Sequence, residues 1–308
     1  MKNSKLLFLS LFVCSMCLWL WPLEKVHAQN TDLSVLVERA EAAGMEQVTL
    51  SELQNRAQSQ GISNEQLGQI LKSALSLSEQ NLPGQLAIEK ALEGLSKGVP
   101  GERLIPAVNR IGQGMRQAAE VVDPWMGRNE VQGLLKQSGQ SMSENGFRNE
   151  MIKATSKSFV QNVPSDNVQS IFHEIGSEEI ISRSTPGDLI TAVSILPDLP
   201  TTANQPKVSA SFIVRALKGG FDADKLQQLP SAMKMGQQRS QLPAASIIEG
   251  VAQQMDNGTP AKQVLQNLFN GNIGGGPPGN IPKGLENRPD RGNNNRGNGN
   301  PGGNNGNN

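Results

Sequence analysis

One short pattern recurs along this chain and restricts what it can fold into. It reads "GISNEQLGQI" from Gly61, "GVPGERLIPAV" from Gly98, "NVPSDNVQSIF" from Asn162, "GFDADKLQQL" from Gly220, "QLPAASIIEGV" from Gln241 and "GTPAKQVLQNLF" from Gly258. Shorter forms are "NLPGQLAI" from Asn81 and "STPGDLITAV" from Ser184. A turn-former or amide comes first, usually an apolar residue second, and Ser, Asp or Pro third. The full copies carry Leu, Val or Ile at the seventh place.

This is the chemistry of one helix ending and the next beginning. Gly or Asn takes the left-handed backbone that closes a helix. Ser63 or Asp222 accepts a bond from a free first-turn N–H, and Pro sits where no N–H is needed. Ile62 on Leu67 and Phe221 on Leu226 have the spacing of a hydrophobic staple, and Ser63 with Gln66 that of a capping box. Thr49 with Glu52, behind Val48, reads as another cap of this kind. So many starts predict many short helices joined by tight turns. Leu33, Val35, Leu36 and Ala40 form one apolar stripe, and Ile88, Ala91, Leu92 and Leu95 another. With no tyrosine in the chain and no alternating pattern, the expected class is all-α.

The starts also echo at long range. "NLPGQLAIEKALEGLSKGVPGERLIPAV" (Asn81 to Val108) aligns without a gap to "QLPAASIIEGVAQQMDNGTPAKQVLQNL" (Gln241 to Leu268). Upstream, Gly61-Ile62 meets Gly220-Phe221 with a shift of one residue, and Thr49 and Ser209 read as matching caps. The expectation is repeated short helical hairpins forming a solenoid-like or bundle array. A first helical unit is expected over 29–115, a middle region over 116–195, a proline-rich linker over 196–207 and a second unit over 208–270, related to 48–115. In the middle, Asp123-Pro124 predicts the start of a helix through Val131 and Leu134, and another helix is expected near Phe147 to Val160. Arg103, Pro106, Gly112 and Gly114 predict that the helix after Gly98 is kinked or short.

The two ends differ from this pattern. Lys2 and Lys5, an apolar run from Leu6 to Trp21, and Val26-His27-Ala28 have the layout of a secretory signal cleaved after Ala28. The run is short of the roughly 20 residues a membrane span needs. A secreted or periplasmic location is therefore expected, with no stable membrane span after cleavage. Cys14 and Cys17 both lie inside the signal, which leaves the rest of the chain without thiol chemistry or a disulfide framework. From residue 271 to 308, Gly, Asn and Pro dominate and the chain is expected to be disordered. Arg288, Arg291 and Arg296 there are sparse and diluted by Glu286 and Asp290. With a formal net charge of zero, no nucleic-acid partner is expected.

Few residues carry catalytic chemistry. His173, the only histidine beyond the signal, could ligate a metal with Glu178 and Glu179 or act as a base beside Glu174, but three or four ligands are needed and no second histidine is present. Glu89 and Glu249 match in the aligned segments and could act as a carboxylate pair of the kind that hydrolyses sugars. Each follows an apolar Ile, where a solvated flank is normal. Ser158, Ser170 and Ser211 lack a nucleophile-elbow context. Gly94, Gly98 and Gly101 lack phosphate-loop spacing. Asn257-Gly258-Thr259 fits a glycosylation sequon but coincides with a helix joint. Met115, Met126, Met142, Met233, Met235 and Met255 have helical spacing that reads as core rather than as an adaptable groove. Trp125 is a lone indole outside the signal.

No catalytic, cofactor-binding or metal residue is assigned on these grounds, and no cofactor is expected. The reading is an exported, non-enzymatic helical-repeat protein, a protein-interaction or scaffolding module of the cell envelope with a protein or peptide partner. The alternatives are an envelope hydrolase using carboxylates and a carrier of a small apolar ligand.

Overall fold

The first residue of every full motif copy has a left-handed backbone. In the computed structural model, which describes residues 33–137, 142–200 and 206–273, φ is positive at Gly61, Gly98, Asn162, Gly220, Gln241 and Gly258. Asn81, in a short copy, is left-handed too. Among the described residues, the non-glycine positions with positive φ are Asn81, Asn162 and Gln241, and each opens a motif copy.

The hydrogen bonds explain why. At Gly98, the Gly98 N–H donates to the Leu95 carbonyl (2.8 Å) and the Val99 N–H to the Gly94 carbonyl (3.0 Å). Bonds spanning three and five residues in this way define the Schellman motif, which satisfies carbonyls that a helix end would leave open. The same pair of bonds occurs at Gly61, Asn81, Asn162, Gly220 and Gly258. Gln241 differs: the Leu242 N–H donates to Ser240 Oγ instead. The next helix is then capped at once. Ser63 and Asp222 accept from the backbones of Gln66 and Lys225, and Pro83, Pro164, Pro243 and Pro260 stand at N-caps. Ser63 and Gln66 form the full capping box.

The outcome is all-α, with fourteen α-helices, one 3-10 turn and no strand among the described residues. The chain forms two compact units, divided between Ala119 and Glu120. Unit 1 holds α1 (Leu33–Ala42), α2 (Gln47–Ser59), α3 (Asn64–Glu79), α4 (Gly84–Ser96) and the larger part of α5 (Gly101–Met126). Within it α1 packs on α3, α2 on α4, and α3 on α4. Its core includes Leu36, Leu53, Ile70, Leu71, Ile88, Leu95 and Met115, each no more than 2 % exposed.

Unit 2 begins with the end of α5 and continues through α6 (Asn129–Gln137), α7 (Glu144–Val160), α8 (Ser165–Ile175) and the four-residue α9 (Glu178–Ile181). After it come α10 (Pro186–Ser194), α11 (Pro206–Lys218), α12 (Ala223–Ser240), α13 (Ala244–Asp256) and α14 (Ala261–Asn270). Here α7 packs on α10, α8 on α11, α10 on α12, α11 on α13, and α12 on α14. In the proline-rich stretch 196–207, Leu196–Asp198 is the 3-10 turn, and Leu196 and Leu199 are buried. Of that stretch, residues 201–205 lie outside the described residues, as do the signal segment 1–28 and the tail from 274.

Several local expectations are corrected. Thr49 does not cap a helix: α2 starts at Gln47 with Glu46 as N-cap, and the Thr49 hydroxyl donates back to the Glu46 carboxylate (2.9 Å). Val48 is 80 % exposed, so it staples nothing. Ser209, its expected counterpart, lies inside α11. The helix after Gly98 is not short but runs for 26 residues, and Asp123-Pro124 lies in its last turn rather than starting a new helix. Proline costs a helix its i−4 bond and crowds that carbonyl. Pro106 and Pro124 are both exposed, as are Glu102 and Glu120 four residues earlier. Water can therefore satisfy the carbonyls those prolines leave open, and the buried face of α5 continues past them.

Candidate functional site

Three aromatic side chains of unit 2 meet where α5 ends. Trp125 is 2 % exposed, with Phe172 of α8 edge-on to it at 5.3 Å between ring centres and Phe147 of α7 tilted at 6.1 Å. Burial of these rings locks the end of α5 against α7 and α8. Beside them opens a cleft of about 240 Å³. Val121, Pro124, Trp125 and Phe172 give its apolar walls, and Glu120, Arg128, Gln169 and His173 its polar ones.

The polar groups are unevenly satisfied. Trp125 Nε1 is buried and has no hydrogen-bond partner among the described residues. Leaving a buried donor unpaired costs about 1–3 kcal/mol. Arg128, partly buried on the turn after α5, has no ion-pair partner among the described residues. Both nitrogens bear on Gly176, at the end of α8. A Cβ on Gly176 would stand 2.5 Å from Arg128 Nη1 and 2.9 Å from Trp125 Nε1. Gly176 has φ −79°, so it is required here for space rather than for backbone freedom.

The residues weighed from sequence fall elsewhere, apart from His173 and Trp125. His173 is exposed at the cleft. Glu179 pairs with Lys218 (2.8 Å), and the Lys218 ammonium holds its carboxyl below the ordinary range. Among the described residues no group of three His, Cys, Asp or Glu is placed to hold a metal. Glu89 and Glu249 are each exposed, in unit 1 and unit 2 respectively. Ser170 and Ser211 both donate to Glu174 Oε1 at 3.4 Å. Ser158 is fully buried and its hydroxyl has no partner among the described residues. Met115, Met126, Met233 and Met255 are buried core.

Two sites escaped the sequence reading. One is the Arg128–Trp125 arrangement, which exists only because α8 returns to the end of α5. The other is Asp188, a buried carboxylate that ties two helix starts together. Its Oδ2 accepts from the Thr185 N–H and hydroxyl, both at 2.8 Å, and its Oδ1 accepts from the Ala223 N–H at 2.6 Å. Thr185-x-x-Asp188 has the form of a capping box, which was a usable signal; the reach to α12 was not readable.

Among the described residues of unit 1, Glu93 is the perturbed carboxyl, lying between Lys90 and Lys97 at 2.6 Å from each. Hydrogen bonds from these two ammonium groups lower its carboxyl to about 2. The cluster is well exposed and forms an ordinary solvated helix face. No protein-family model, curated protein or solved structure matches the chain.

Proposed function

We propose that this chain is an exported, non-enzymatic helical-repeat protein that serves as a binding or scaffolding module of the cell envelope. The observation that carries the repeat reading is the spacing of its joints. The left-handed residues pair as Gly61 with Gly220, Asn81 with Gln241 and Gly98 with Gly258, at offsets of 159, 160 and 160. The helix starts Gln47, Asn64, Gly84 and Gly101 pair with Pro206, Ala223, Ala244 and Ala261 at offsets of 159, 159, 160 and 160. Duplication of a four-helix unit accounts for this register. Independent capped helices would have no reason to keep it.

Packing of helices on the next but one, as α1 on α3 and α2 on α4, or α10 on α12 and α11 on α13, is what stacked hairpins produce. Such stacks present broad side-chain surfaces that bind proteins or peptides. Residues 1–28 act as a signal removed after Ala28, and the module works outside the cytoplasm.

Affinity capture from native envelope tests the reading with three baits: the full chain, the chain ending at Ile273, and residues 274–308 alone. The first two should retain the same partner. A partner held by 274–308 alone would defeat the proposal. Sequencing of the protein recovered from its native host should begin at Gln29.

A further inference from the structure

We propose that the cleft between the end of α5 and α8 binds a carboxylate, carried on an apolar body about the size of one amino-acid residue. The anionic end meets Arg128 and the Trp125 indole N–H, and the body lies against Phe172 and Pro124.

Two independent features of the cleft call for an acceptor. Arg128 is a partly buried cation without an ion-pair partner among the described residues. Trp125 Nε1–H is a buried donor with no acceptor among the described residues. Both nitrogens crowd against Gly176 and are therefore close neighbours, near enough for the two oxygens of one carboxylate to take one each. A charged acceptor also gives the strongest bond available to such donors.

The rest of the cleft selects the ligand. Glu120 lines it too, and its charge opposes a dianion such as phosphate more than a monoanion. The volume of about 240 Å³ is small beside an ordinary drug-sized pocket and excludes a bulky chain. The indole nitrogen is closed to water in the free chain. Arg128, with no ion-pair partner among the described residues to hold it, shifts with the entering acid, keeps its bond to the carboxylate and uncovers the indole N–H. His173 at the mouth adds a further polar contact.

The assignment deepens the binding-module reading and is separable from it. A captured macromolecular partner with an unresponsive cleft overturns this assignment alone. Acid binding with no captured partner leaves it standing and overturns the module.

The test titrates the full chain with three probes: N-acetyl-leucine, N-acetyl-leucinamide, and an acetylated tetrapeptide ending in leucine with a free carboxylate. The indole N–H resonance of Trp125, assigned with Trp125→Phe, and calorimetric affinity are the readouts. Both acids should move that resonance, and the amide should bind at least about tenfold more weakly. Tighter binding of the tetrapeptide than of N-acetyl-leucine identifies a peptide C-terminus as the source. Equal or weaker binding identifies a free small acid. Arg128→Gln should weaken both acids by about tenfold or more, while Glu120→Gln, an exposed change that spares the fold, should tighten them. The proposal is overturned if amide and acid bind alike, if the indole is unmoved by both acids, or if neither variant alters affinity.

Discussion

Replacing Gly98 isolates the energy of one joint. Its φ is +69°, and a Cβ placed there would meet nothing within 4 Å. A substitution therefore encounters no neighbour, and the whole cost is the left-handed backbone itself. For alanine that cost is about 1–2 kcal/mol. Asparagine should cost less, because its short polar side chain bonds locally, and Asn81 and Asn162 already hold this conformation. Valine should cost more than alanine, since a β-branched side chain is a poor fit to positive φ. In urea, with a slope of about 1–3 kcal/mol per molar, the Gly98→Ala midpoint should fall by roughly 0.5–1 M at unchanged slope. Gly258, with φ +74° and equally open space, should give the same order of variants. Gly94→Ala makes a useful contrast, because its Cβ would stand 2.5 Å from Leu104 Cδ1 and so tests packing instead. The reasoning is refuted if Gly98→Ala leaves the midpoint unchanged, or if asparagine is as costly as valine.

Other outcomes follow from particular contacts. Asp188→Ala strands the Thr185 and Ala223 donors and should cost about 2–4 kcal/mol. Asp188→Asn, with one acceptor oxygen left, should fall between; an unchanged denaturation midpoint for the alanine variant would contradict the tie. Glu93 has a carboxyl lowered from 4.5 to about 2, so its contribution is full above the unfolded value and disappears as pH falls through the folded one. Because the pair partners are well exposed, that contribution is at most about 1 kcal/mol. Glu93→Gln should thus unfold at lower urea than the parent at neutral pH, and the two midpoints should converge near pH 2; a difference that persists there would show another cause. Changing Glu89 and Glu249 together to Gln should leave any hydrolytic turnover of envelope glycan or peptide at its parental level, and loss of a measurable turnover would favour the hydrolase alternative.

The joints were legible because they are local. Within a few residues, "GVP" or "NLP" contains the left-handed residue, the apolar residue whose N–H closes the motif, and the cap. Where a second local solution existed, the sequence was ambiguous: Thr49 has a capping side chain, yet Glu46 took the cap and Thr49 bonds to it. The prolines of α5 misled for a different reason. A proline stops a helix only if the carbonyl it abandons has no other partner, and that depends on which face of α5 turns to solvent. The cleft was the least readable feature. Trp125 stood out as a lone indole, but only folding sets Phe172 against it and brings Gly176 beside Arg128. Likewise, Asp188 announced its own helix start, while its bond to Ala223 spans 35 residues.

The most direct measurement of the central claim, that the repeated motifs are architectural joints and not ligand loops, is amide hydrogen exchange at the second residue of each copy. The N–H groups of Ile62, Leu82, Val99, Val163, Phe221 and Thr259 each donate to the carbonyl five residues back. If these joints are built as described, the six amides should be protected to the level of neighbouring helical amides, because they open only when the packed helices part. Leu242, which donates to a serine hydroxyl, should exchange faster than the other six. Rapid, loop-like exchange at Val99 and Thr259 together would contradict the account.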